Sequence, residues 1–174
     1  MNGSIPHGRP ESRPENGRAL IAIGTNLPFE GRAGGALMDA GLRRLTDLGL
    51  KTLAVSRTRI TEAWPDPADP PFTNAAALLH APGWTAQAVL DALLATERAF
   101  GRERSRTNAP RTLDLDLLDL DGQVLEAPGL VLPHPRMHLR RFVLEPVAEI
   151  APAWVHPVLG ETAATLLRRL SDAP

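Results

Sequence analysis

Short apolar runs, two stretches with helical hydrophobic spacing, and the order in which they alternate predict an α+β domain. Its core reads as a ferredoxin-like βαββαβ unit, extended by an extra C-terminal hairpin and helices. The chain has 174 residues, 43% hydrophobic content and a formal net charge of -1, the profile of one ordinary globular domain with a real core. Residues 1–18 are polar and rich in Pro, Gly, Ser and Glu, too poor in apolar surface to offset their ordering entropy. They read as a flexible tail, with residues 19–174 as the single domain.

The elements follow in order. Residues 19–24 form an apolar run closed by Gly24, which suits a buried strand. Leu37, Met38, Leu42, Leu45 and Leu48 recur at helical spacing, so residues 35–48 read as an amphipathic helix stopped by Gly49. Residues 52–61 alternate and carry β-branched side chains, the mark of a second strand. Pro65, Pro67, Pro70 and Pro71 then enforce a loop, because proline fixes φ and lacks a backbone donor. Residues 72–81 make a third strand, and residues 86–100 a second helix with Val89, Leu90, Leu93 and Leu94 on its apolar side and Gly101 as its stop. After an arginine-rich loop, residues 112–118 form a fourth strand, and Asp121-Gly122 supplies a tight turn into Val124-Leu125. Residues 139–150 and 162–170 close the fold as helices.

Composition removes several chemistries. The absence of cysteine excludes disulfides, cysteine-ligated zinc and a cysteine nucleophile. Lys51 is the only lysine, and Gly49-Leu50-Lys51-Thr52 lacks the glycine pattern of a phosphate-binding P-loop. No stretch reaches the roughly 20 apolar residues of a membrane span, and the first residues lack the charged and apolar regions of a signal peptide. The cytosol is the expected compartment, with no membrane partner.

The sharpest local signal is Pro110-Arg111-Thr112-Leu113-Asp114-Leu115-Asp116-Leu117-Leu118. Strand side chains alternate faces, so Leu113, Leu115 and Leu117 point one way and Asp114 and Asp116 the other, about 7 Å apart. Magnesium favours one or two carboxylates completed by phosphate oxygens and water, so the pair is either a cation ledge or a solvated acidic strand face. Asp119 and Asp121 read as turn and edge residues. Arg98, Arg102, Arg104, Arg106 and Arg111 crowd the stretch before the pair. Forked guanidinium groups beside paired carboxylates suggest a polyphosphate between them, against the alternative of a solvated basic loop. His134 and His138 flank Pro135, which breaks the regular helix a zinc pair needs; His134 is either a phosphate-facing imidazole or a structural one. Asn74 brings an amide into an apolar strand, where backbone groups or a heterocyclic ligand must satisfy it.

Taken in order, these segments resemble the 6-hydroxymethyl-7,8-dihydropterin pyrophosphokinase family. The likeness runs through Ile23-Gly24-Thr25-Asn26-Leu27, Pro71-Phe72-Thr73-Asn74-Ala75, Glu97 with Gly101-Arg102-Glu103-Arg104, the Asp114 and Asp116 segment, Leu132-Pro133-His134-Pro135-Arg136 and Arg140-Arg141-Phe142-Val143-Leu144. The resemblance implies transfer of pyrophosphate from ATP to the pterin hydroxymethyl group, with two magnesium ions held by Asp114 and Asp116. It implies that Arg104, Arg111, His134 and Arg140 contact ATP with Arg102 and Glu97 assisting, and that Arg104, Arg111 and Asp116 are catalytic. Asn74 and Phe142 would hold the pterin ring, with Thr61, Trp64 and Phe72 lining its pocket. Partners are then ATP and a dihydropterin, and a monomer is expected. Ala109, Asn108 and Glu62 depart from the family pattern, and the departures at Asn108 and Ala109 motivate a rival reading as an inert pterin- or nucleotide-binding protein. A second rival, an RNA-binding ferredoxin-like domain, needs stacking aromatics on its strands, and this chain has no tyrosine and places its arginines in a loop.

Overall fold

Strand β1 (Arg18–Thr25) lies inside the sheet because both of its faces are apolar. Ala19, Ile21 and Ile23 point into one hydrophobic cluster, while Leu20 and Ala22 point into another. The computed structural model describes residues 16–63, 66–102 and 111–172. After β1 come α1 (Gly34–Asp47), β2 (Lys51–Val55), β3 (Arg59–Thr61), β4 (Phe72–His80), α2 (Ala86–Ala99) and β5 (Asp114–Leu120). The hairpin β6 (Leu125–Ala127) and β7 (Leu130–Leu132), a 3-10 turn at Met137–Leu139, α3 (Arg141–Ile150) and α4 (Ala163–Asp172) complete the chain.

The sheet order is β2-β4-β1-β5 with β3 also pairing β4, and every pair is antiparallel. This is the predicted ferredoxin-like core, with one change. The expected second strand is cut at Ser56, whose hydroxyl accepts the Ala76 amide and whose own amide donates to the Ala76 carbonyl, so β2 and β3 are separate. A side-chain hydrogen bond of this kind competes with the ladder. Helices α1 and α2 cover one face through Met38, Leu42, Leu45, Val89 and Leu93. Helices α3 and α4 cover part of the other, where Val143, Leu144, Val147 and Leu166 pack on Leu20, Ala76 and Leu118.

The expected tail falls outside the described residues through residue 15. The amides of Asn16, Gly17 and Arg18 donate to the Asp121 carboxylate at 2.9, 2.7 and 2.8 Å. Asp121 is therefore a clamp on the start of β1. Asp119, expected at a turn or edge, lies near the end of the edge strand β5 and accepts the Gly122 amide of the following turn at 3.0 Å, and it is buried at 4% exposure. A bulge precedes it: Leu20 pairs with Asp119 but Ile21 pairs with Leu117, leaving Leu118 as the extra residue. Leucine-rich sequence carries no mark of where that slip falls.

Two local features generate tests. Gly101 ends α2 at φ +72, and a Cβ there would stand 2.6 Å from the Phe29 ring. Gly101→Ala is expected to destabilise the fold by at least about 1–2 kcal/mol from the left-handed backbone alone; an unchanged urea midpoint contradicts this. His156 is buried at 4% exposure, accepts the Val158 and Leu159 amides at 3.3 and 3.2 Å on Nδ1, and lies edge-on to His138. Burial, then His138, pushes its pKa down. The unfolded imidazole protonates near pH 6.5 and the folded one only lower, so the unfolded state takes up the proton first. Stability is expected to fall as pH drops below about 6.5, and His156→Asn, which keeps an acceptor but does not titrate, should flatten that slope in pH-dependent urea melts.

Candidate active site

The end of the sheet face that α3 and α4 leave open is a row of paired residues. Asp114 on β5 lies opposite Gly24 on β1, and Gly24 lies opposite Asn74 on β4. The next rung sets Asp116 opposite Ala22 and Ala22 opposite Ala76. Small residues thus floor the space between the carboxylates and the amide. A Cβ on Gly24 would stand 3.4 Å from Asn74 Oδ1, 3.7 Å from Asp114 Cβ and 3.9 Å from Phe72 Cδ1, so glycine keeps this notch open. Asn74 is 7% exposed, and its Nδ2 donates to Thr61 Oγ1 at 2.8 Å. That bond fixes the amide and leaves Oδ1 on the Gly24 side.

The acidic ledge is braced from below. Glu97 on α2 is 2% exposed, accepts the Leu115 amide at 2.7 Å, and forms an ion pair with Arg102. Arg102 also meets Asp114 Oδ1 at 2.6 Å, while Arg111 meets Asp114 Oδ2 at 2.7 Å. Burial raises the Glu97 carboxyl, opposed by the Leu115 amide and Arg102. Burial also raises the Asp116 carboxyl, with Asp114 adding to the rise and His134, Arg140 and Arg102 opposing it. A cation on the ledge would relieve that repulsion.

His134 hangs on the bulge, its amide donating to the Leu118 carbonyl at 2.8 Å. Its Nδ1 accepts the Arg136 amide at 3.2 Å, which leaves the proton of the neutral ring on Nε2. Burial pushes its pKa down despite the attraction of Asp116. Arg140 rests 5.7 Å over the Phe142 ring, a cation–π contact that orients both. A groove of about 460 Å³, lined by Arg59, Ile60, Thr61, Arg141, Phe142 and Glu145, opens beside them. Its walls are tied by Arg59 to Glu145 and Glu149 at 3.2 and 2.9 Å and by Arg141 to Glu145 at 2.7 Å.

The structure brings Asp114 and Asp116 together with Arg102, Arg111, His134 and Arg140 around one end of the sheet. Thr61, Phe72 and Asn74 flank the notch, and Phe142 faces the groove. Glu97 sits beneath the ledge rather than on it. Trp64 and Arg104 lie outside the described residues. Sequence reasoning passed over Gly24 as a site residue, although the Gly24-Thr25-Asn26 turn flagged the segment. It also passed over Arg59, whose role depends on pairing across to α3.

Oxygen donors without nitrogen or sulfur suit a hard divalent cation, and forked cations beside them suit phosphate. Among the described residues no group of three His, Cys, Asp or Glu side chains is placed to hold a metal ion by itself, and magnesium favours one or two carboxylates completed by phosphate oxygens and water. The class this defines is a ferredoxin-like domain that carries a ledge of paired carboxylates and guanidinium groups beside a glycine-floored notch. A family model described as 7,8-dihydro-6-hydroxymethylpterin-pyrophosphokinase (HPPK) matches residues 20–152, and the chain belongs to that family. It is 42% identical over 153 residues to a 2-amino-4-hydroxy-6-hydroxymethyldihydropteridine pyrophosphokinase of Synechocystis, covering 87% of this chain and 75% of the relative. The like-named protein of Pseudomonas aeruginosa is 40% identical over 78% of this chain and 81% of its own. The fold also matches the wild-type HPPK-DHPS protein of Plasmodium falciparum with a TM-score of 0.66 at 13% identity, over 92% of this chain. The chain spans 45% of the length of that protein.

The brace under the ledge is testable without any ligand. Glu97→Ala strands the buried Leu115 amide, and is expected to cost about 1–3 kcal/mol in urea unfolding; a loss below about 0.5 kcal/mol would mean another group or water satisfies that amide.

Proposed function

We propose that the chain transfers the pyrophosphoryl group of ATP to the hydroxymethyl group of 6-hydroxymethyl-7,8-dihydropterin and releases AMP, a step in folate synthesis. The observation that supports it most is the Asp114, Gly24, Asn74 alignment, which sets a carboxylate ledge and a buried side-chain amide on opposite sides of one open notch. The names of the relatives point the same way, and a protein of Pneumocystis carinii that matches 93% of this chain at 28% identity is named for folic acid synthesis. The chain spans 21% of that relative.

In this reading Asn74 hydrogen-bonds the pterin, Phe142 stacks on its ring, and Thr61, Trp64 and Phe72 line the pocket. Thr61 does so while holding the Asn74 amide in place. Arg102, Arg104, Arg111, His134 and Arg140 bind the nucleotide, with His134 donating from Nε2. Glu97 acts through Arg102. Two magnesium ions on Asp114 and Asp116 supply charge neutralisation of the phosphate oxygens when bound. The hydroxymethyl oxygen attacks the β-phosphorus, the new O–P bond forms, and the bond from the β-phosphorus to the bridging oxygen breaks with its electron pair leaving on AMP. Asp116 accepts the hydroxyl proton as the new bond forms. Positioning and electrostatics make up most of the protein's contribution. The protein acts as a monomer on these two small molecules, with no nucleic-acid partner.

The test is to incubate the purified chain with ATP, magnesium and the dihydropterin and to separate the nucleotides. AMP with a pyrophosphorylated pterin is expected; ADP would mean a simple kinase, and no product despite binding of both ligands would mean an inert binder. Asp114→Ala and Asp116→Ala should each abolish turnover with the fold retained by circular dichroism, and near-normal magnesium-dependent turnover in either would sink the metal assignment. Arg111→Ala, removing one donor to developing charge, should slow kcat by about 10²–10³-fold.

A further inference from the structure

Beyond the last β1–β5 rung, Asn26 does the work of a ladder with its side chain. Its Oδ1 accepts the Arg111 amide at 2.8 Å, while its own amide and that of Leu27 donate to the Arg111 carbonyl at 3.1 and 3.3 Å. The same side chain turns its Nδ2 the other way, to the Pro70 carbonyl at 3.0 Å. Pro70 stands just ahead of β4, which carries Phe72 and Asn74, and Arg111 just ahead of β5, which carries Asp114. One amide therefore joins the chain segments entering both sides of the Gly24 notch. Because both of its hydrogen-bonding ends are used, Arg111 cannot move away from the ledge without releasing Asn26 from one partner or dragging Pro70 with it.

We infer that Asn26 is a positioning residue that couples the two halves of the site, so that ordering the phosphate side through Arg111 also orders the pterin side through Pro70. This rests on the reaction proposed above. Neither half requires Asn26 as a direct ligand contact. Its substitution should therefore spare binding to each half alone and weaken the dependence of one on the other, since coupling between sites needs a shared element that both bias.

Asn26→Ala removes both links; Asn26→Asp keeps an acceptor for the Arg111 amide and replaces the donor facing Pro70. Calorimetric titration of the intact chain with 6-hydroxymethyl-7,8-dihydropterin, with and without magnesium and α,β-methylene ATP, gives a coupling ratio for each protein. The added charge in Asn26→Asp shifts nucleotide affinity but largely cancels in a ratio taken within one variant. The wild type should show a ratio of about tenfold or more, and both variants one below about threefold, with pterin affinity in the absence of nucleotide within about threefold of wild type. A wild-type ratio of one, or an unchanged ratio in either variant, overturns the inference. Amide hydrogen exchange gives a ligand-free check: Arg111 protection should be lost in Asn26→Ala and kept in Asn26→Asp, and equal exchange in wild type and Asn26→Ala also overturns it. Coupled binding by a wild type that makes no AMP would instead count against the reaction and leave the coupling standing.

Discussion

Everything at the open end of the sheet depends on the face alternation of β5. Leu115 and Leu117 are buried against α2 and its neighbours, and a strand cannot turn successive side chains to the same side. Burying the leucines therefore commits Asp114 and Asp116 to the opposite face. Each buried leucine contributes about 1.5–3 kcal/mol, so the two together, at about 3–6 kcal/mol, exceed the roughly 2.4 kcal/mol repulsion of two carboxylates about 7 Å apart at an effective dielectric near 20. The packing term wins, and the acidic ledge follows from the core rather than competing with it.

The helices on that face decide how much of it becomes a site. Helices α3 and α4 pack on Leu20, Ala76 and Leu118 and stop short of the rung that holds Asp114, Gly24 and Asn74. The bulge at Leu118 marks the border, turning Asp119 to the closed end and offering its carbonyl to His134. On the far side, the ion pairs of Arg59 with Glu145 and Glu149 hold β3 against α3 and give the groove a fixed wall. These pairs are partly exposed, and exposed pairs contribute little to stability. Their consequence is geometric: Thr61, at the end of the same short strand, is held where it can orient Asn74.

Much of this was legible from residue patterns. The order of elements follows from periodicity, and the shared face of Asp114 and Asp116 follows from spacing alone. What could not be read is whatever depends on register or on long-range pairing. The slip at Leu118 hides within a run of leucines and aspartates, so the sequence shows that Asp119 serves the turn but not that it is buried. Glu97 carries the likeness to the family but shows nothing in sequence of the Leu115 amide, 18 positions on, that it accepts. Gly24 looks like a strand terminator until the pairing places it between Asp114 and Asn74. Ser56 gives no periodic signal that the second strand breaks there.

Glu97 and Arg102 show how a buried charge can serve a surface one. An isolated carboxylate at 2% exposure would be neutralised by desolvation, and the direction of its pKa records that pressure. The Leu115 amide and Arg102 resist it, and Arg102 then reaches up to Asp114. Removing water from Glu97 strengthens its hold on Arg102, because the attraction is less screened. The guanidinium is consequently fixed before any ligand arrives. A donor that need not reorganise when charge develops beside it is worth more than an equally charged mobile one, so a residue with almost no surface of its own can set the field at the ledge.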